Sequence, residues 1–407
     1  MSDRASSTIR SSVVNKPVPT PFVPPRPGSA QFVSGALAPR GILIRARDGF
    51  FQQTAFEYFG TPTPLPTMTC ASHYRRLLCS TSLWLERDIT SINCITHRYR
   101  TMAAVSPPLP QQEWMLEAAT SLLHSEDLVH PDFDAGHDDD SKTSWLPIRL
   151  CGGSFQPSAV LMTNKPQWEE PPIISSRAPS NKTSGRAPPS SNNTTNKPPA
   201  LPSVTKSAAA TAAATPLSVT PTFSYWLRAH CFLHHARYSS LSSSAFDPPP
   251  TTRRMNLHGL ESHTPVRHSY ACLPYLSIEV RSAAADDAAD VTSLHRLAAS
   301  GATALWNRAR LRGSNDNYED GAAALRHFGL LLAGCSWELY CMTAVARSGG
   351  EEGAVAWRGC EMAHLAGGRL TGREDVGQLV DWINEIHCWG NTAYATACVN
   401  DVFRTDG

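Results

Sequence analysis

The chain has 407 residues, a formal net charge of +1, 17% charged residues and 32 prolines. A chain of this length admits two or three domains, but the prolines and the long Ser/Thr/Pro/Ala tracts predict one compact domain with much of the sequence outside it. The charge is unevenly split: Ala271 to Gly407 holds 11 Arg, no Lys and 17 Asp or Glu, a net of −6, against +7 for the rest. An acidic globular part excludes a broad phosphate-binding surface and leaves any nucleic-acid contact to a local basic patch.

Residues 1–164 combine proline clusters with short apolar pieces such as GILIRARDGFF and SLWLERDITSINCITHRYR, so they are expected to be mostly disordered with short helical or strand-like pieces. Gln111 to His124 is clearer. Trp114, Met115, Ala118 and Leu122 share one helical face behind Pro110, which predicts a short amphipathic helix that needs something to dock on. Residues 165–222 are rich in Ser, Pro and Ala and read as a disordered linker. Residues 223–270 receive no firm assignment, although Ser224 to Tyr238 reads as a helix before Phe246-Asp-Pro-Pro-Pro breaks the chain.

Residues 271–404 have a different texture. LPYLSIEVR alternates as a strand, with Tyr275, Ser277, Glu279 and Arg281 on one face and Leu276, Ile278 and Val280 on the other. Asp286 to Arg312 carries Val291, Leu294, Leu297, Ala298, Gly301, Ala304 and Leu305 on one stripe, an amphipathic helix. RHFGLLLA and CSWELYCMTAV flank Gly334 and predict a hairpin, and Val355 to Met362 reads as a further strand. Thr371 and Glu374 form a capping-box pattern. The helix it opens carries Val376, Leu379, Val380, Ile383 and Ile386 inward and stops near Gly390. The order β-α-β-β-β-α predicts a small α/β domain.

Eleven cysteines without a C-x-x-C pair, and a polar start, MSDRASSTIRSS, predict reduced thiols in an intracellular protein. The longest apolar run, Phe328 to Met342, is interrupted by Glu338, so no membrane is expected as a partner. The sequons at Asn181, Asn192 and Asn193 carry no meaning in such a compartment. His230, Cys231, His234 and His235 could supply metal ligands on one helical turn, but no second ligand cluster accompanies them. The acidic stretch His130 to Asp140 has alternate acids like a calcium loop. Gly136, His137 and Thr143 stand where that loop needs a ligand, the glycine and the bidentate Glu, so a solvated acidic stretch is the better reading. His364 and His387 lie beside the buried stripes and read as core or edge histidines.

Glu279-Val280-Arg281 carries the sharpest question. The strand with its acidic-x-basic end, the Ala-rich helix after it, NRARLR at Asn307, LRHFGLLLAGCSWELY at Leu325, GCEMAHL at Gly359 and LVDWINEIHCWGNTAYATAC at Leu379 together resemble the fungal proteins described as PD-(D/E)XK nuclease-like. The resemblance covers about a third of the chain, Leu273 to Val402. It implies a restriction-endonuclease-like mixed sheet with flanking helices, here with its first helix and strand unidentified upstream. It also implies Mg²⁺ held by acids from two adjacent strands, with a lysine two residues after one of them to orient or deprotonate water.

By that resemblance Glu279 is the metal ligand and Arg281 stands in the lysine's place. Residues two apart on a strand share a face, so the pair converges on one phosphate. An arginine stays charged and cannot act as the base, though it can clamp a phosphate. Arg296 occupies a helical position where relatives tend to show Gln. The one aspartate between Phe223 and Glu279 is Asp247, next to three prolines and a poor strand residue. Three readings stay open: an ordinary Glu279–Arg281 ion pair in a weak or inactive nuclease-like domain, an active Mg²⁺-dependent nuclease, and a non-catalytic interaction domain whose partner is unknown.

Overall fold

The structure, a computed structural model, describes residues 25–45, 53–63, 85–123, 148–151, 170–174, 217, 219, 221–227, 272–282, 287–312, 325–345 and 357–402. Among them, seven strands form one mixed sheet: β1 (Ile42–Ile44), β2 (Ile148–Cys151), β3 (Phe223–Leu227), β4 (Cys272–Arg281), β5 (Arg326–Ala333), β6 (Ser336–Ala344) and β7 (Cys360–Arg369), in the spatial order β1-β7-β6-β5-β4-β3-β2. The pairs β4–β5 and β1–β7 are parallel and the other four antiparallel. The helices are α1 (Ala30–Phe32), α2 (Ala55–Phe59), α3 (Ile89–Ala103), α4 (Gln111–Ser121), α5 (Asp287–Arg312), α6 (Arg373–Trp389) and α7 (Ala395–Val402). The result is a mixed α/β fold with helices on both faces of the sheet.

Strand alternation decides which side chains enter which layer. Leu276, Ile278 and Val280 of β4, Phe328, Leu330 and Leu332 of β5, and Trp337, Leu339 and Cys341 of β6 face a core closed by α2, α3, α4 and α6. On the opposite face, Leu331, Tyr340, Met342 and Met362 meet α5 through Leu297, Ala298, Ala302 and Leu305, together with Phe32, Ala36 and Leu37. The β5–β6 hairpin forms where expected. Gly334 turns it with φ +56 and donates to the Arg281 carbonyl at 3.0 Å, a backbone conformation that glycine adopts at little cost.

Several expectations change. The segment expected to be helical from Ser224 is, over Phe223–Leu227, a fully buried strand paired to β4. It supplies the neighbour that the sheet lacked in sequence, with Phe223, Tyr225 and Leu227 in the core. The last strand runs Cys360–Arg369 instead of ending at Met362. No capping box forms at α6: the N-cap is Gly372, and the Asp375 carboxylate instead accepts from the Arg369 amide at 2.7 Å. Beyond Gly390 the chain does not stop but continues through one wide helical turn, Gly390–Tyr394, into α7.

Pieces from the first 164 residues pack on the strands and helices of residues 272–402. β1 pairs with β7. α4 buries Trp114 and Ala118, with Leu122 buried at its C-cap, and Gln111 Nε2 donates to the Val280 carbonyl at 2.7 Å. Within 165–222, Glu170 pairs with Arg40 at 2.8 Å, the Pro171 carbonyl accepts from Arg40 Nε at 3.0 Å, and Leu217 is buried.

Tyr275 does not share the face of Ser277 and Glu279. The β3–β4 register steps from Tyr225↔Leu276 to Trp226↔Pro274, so Tyr275 is the extra residue of a bulge, which turns it into the same core as Leu276.

Candidate functional site

Glu279 sits near the end of β4, between β3 and β5, and faces α5. It is only 3% exposed. Its Oε1 lies 3.1 Å from Nε of Arg296 on α5, and its Oε2 accepts from the Thr222 hydroxyl at 3.2 Å. Thr222 stands just before β3 and also accepts the Val280 amide at 3.3 Å, so one hydroxyl stitches two strands. Burial raises the Glu279 carboxyl above its ordinary range, against the pull of Arg296 and Thr222. Loss of hydration outweighs the ion pair.

The guanidinium held by Glu279 thus comes from Arg296 and not from its strand neighbour Arg281. Arg281 lies two residues on, opposite Ala333 of β5, and is partly exposed. On β5 the residue opposite Glu279 is Leu331, and on the β3 side the partner is Thr222. Neither neighbour is an acid. Among the described residues no group of three or more His, Cys, Asp or Glu side chains is placed to hold a metal ion. Asp247, the acidic stretch 130–140, the sequons and the His230, Cys231, His234 and His235 set lie outside the described residues.

The same face holds a second buried polar pair. Ser277 Oγ and His327 Nε2 are 2.9 Å apart, and His327 Nδ1 is 3.3 Å from the Pro274 carbonyl. A Ser–His pair oriented by a carbonyl invites a catalytic reading. Both residues are buried, at 3% and 1% exposure, and burial lowers the imidazole to about 4. A base so weak, with no substrate access, reads as a satisfied core pair.

His387 is equally buried. Its Nδ1 lies 2.9 Å from the Tyr275 hydroxyl, its ring meets Tyr225 edge-on, and burial lowers it to about 3. The expectation of a core histidine fits. His364 packs its ring edge-on to Tyr340 in the other layer.

A buried polar cluster that no sequence expectation named lies on α6. Asp381, Asn384 and Glu385 are 7%, 0% and 1% exposed. Asp381 Oδ1 is 2.8 Å from Arg87 Nε, and Asn384 both accepts from the Leu85 amide at 3.0 Å and donates to its carbonyl at 2.9 Å. Glu385 accepts from the Thr61 hydroxyl at 2.8 Å. Asp381 lines a cleft of about 960 Å³ with Phe56, Ile89, Ile92, Gln378 and Trp382. Only the i, i+4 spacing of the two acids beside an apolar stripe hints at this in sequence.

No family model, curated protein or solved structure matches the chain. Among the described residues no helix is long and apolar enough to cross a membrane.

Proposed function

We propose that the chain carries a degenerate PD-(D/E)XK nuclease-like domain that acts by binding and does not hydrolyse phosphodiesters efficiently. The observation that carries this reading is the occupation of Glu279: its two oxygens serve Arg296 and Thr222. The reading is supported by the layout of the sheet, in which β4, α5 and the parallel β5 bring Glu279 and Arg281 to one face beside an antiparallel strand.

The chemistry then fails at two points. A Mg²⁺ ion takes one or two carboxylates and keeps several waters, whereas the adjacent strand offers the Thr222 hydroxyl where the second carboxylate is needed. A guanidinium against Glu279 also competes with a cation for the same oxygens. Arg281 cannot take a proton from water at any working pH. Arg281, partly exposed two residues after Glu279, adds a fixed positive charge to this end of the sheet, and nucleic acid is the first partner to try.

The full chain, incubated with supercoiled plasmid and Mg²⁺ or Mn²⁺, should nick it no faster than buffer does, and Glu279→Gln should nick it no more slowly than the parent. Metal-dependent nicking that disappears in Glu279→Gln would overturn the proposal in favour of an active nuclease.

A further inference from the structure

We infer that Asp381 operates, by its proton, a latch made with Asn384 and Glu385 by which α6 holds the segments Thr54–Thr61 and Leu85–Arg87 against the sheet. The geometry is specific. Three residues within about one turn of α6 each bind a residue nearly 300 or more positions away: Asp381 takes Arg87, Asn384 takes both backbone groups of Leu85, and Glu385 takes Thr61. Trp382 adds ring contacts to Tyr58 and Phe59 between them. Asp381 and Glu385 lie four residues apart, one turn along the same helix face, and the Glu385 carboxylate works against ionisation of Asp381.

The surroundings leave Asp381 as the group able to respond. From α2, Glu57 is committed to the Thr54 capping box. Just before α3, Arg87 faces Asp381 and is 44% exposed, while the N-cap Asp88 accepts from the Thr90 and Ser91 amides. From the first turns of α6, Arg373, Glu374 and Asp375 line the same cleft, and Asp375 is held by the Arg369 amide. One turn on, the Cys388 thiol is pushed up to about 12, by burial first and then by Glu385. From the sheet side, Cys341 accepts from the Tyr58 hydroxyl of α2, and burial keeps both neutral. Asp381 borders the cleft and so has a route for its proton. Burial pushes its carboxyl up to about 7 despite Arg87, and Glu385 adds to the rise.

The sign follows from linkage. A released Asp381 titrates as an ordinary acid, while a docked one holds its proton to near neutrality. Docking therefore takes up a proton, and the latch weakens as pH rises from the ordinary aspartate range to about 7. Hydrogen–deuterium exchange on the full chain, corrected for intrinsic rates, tests this with the β5–β6 hairpin as internal reference.

Opening of residues 53–63 and 85–103 should rise by up to about tenfold per pH unit within that window, relative to the hairpin. Asp381→Asn should remove the slope. Arg87→Gln, at an exposed position that lets the chain fold, should move the window to higher pH. A slope shared by the hairpin, a slope retained in Asp381→Asn, or a window unmoved in Arg87→Gln would each overturn the latch.

Discussion

Two buried carboxylates lie on opposite faces of this sheet, each against an arginine, yet they do different work. Glu279 and Arg296 are 17 positions apart and belong to a strand and the helix that follows it. Asp381 and Arg87 join α6 to the first quarter of the chain. Glu279 is locked by a second donor, Thr222, whereas Asp381 meets a cleft. The pair enclosed by regular structure serves as a fixed joint, and the pair beside an opening serves as a movable one. A similar chemical unit thus gains rigidity or responsiveness from what surrounds it.

Substitutions can break that comparison, and Arg296→Ala should do so most strongly. Glu279 would then be a buried charge without its cation, costing about 3–5 kcal/mol at pH 8. The loss should shrink as pH falls and Glu279 takes a proton, which urea titrations at pH 8 and at about pH 5 would reveal. An equal loss at both would show that the guanidinium's packing, not its charge, matters.

Asn384→Ala should rank second. It leaves the Leu85 amide and carbonyl without their partner, worth about 2 kcal/mol. Its mark should be local: limited proteolysis near residues 85–103 should speed up while the β5–β6 hairpin stays resistant. Uniform sensitivity across the chain would count against a separable N-terminal layer.

The smallest effect belongs to Glu279→Gln, about 1 kcal/mol or less by thermal unfolding. Arg296 is 37% exposed and regains water when released. A loss as large as that of Arg296→Ala would contradict the asymmetry between the buried acid and its half-exposed base.

The sequence made the local architecture legible and the long-range chemistry obscure. The β5–β6 hairpin and α5 follow from periodicities of two and 3.6 with a glycine between the strands. The inward stripe of α6 was readable for the same reason. β3 was not, because a five-residue buried strand with Tyr and Trp inside carries no alternation strong enough to outvote a helical reading. Glu279 was readable as a special residue, but its partners were not. Thr222 is 57 positions away, in a tract whose composition reads as linker, and Arg296 stands 17 positions on, in the following helix. The α6 latch was hidden for the same reason on a larger scale: no local pattern ties Asp381 to Arg87 or Asn384 to Leu85.

The bulge at Tyr275 makes one stretch of β4 forgiving and the next unforgiving. Tyr275 sits so close to α6 that a Cβ on Gly390 would meet its ring at 2.8 Å. A residue deleted before Leu276 could be absorbed by straightening the strand, leaving Glu279 on its own face. The same deletion between Leu276 and Glu279 would exchange the two faces of everything after it, driving the acid into the apolar layer and Val280 out. Insertion and deletion scanning along this strand would therefore meet a sharp boundary at Leu276, set by counting parity and not by chemistry.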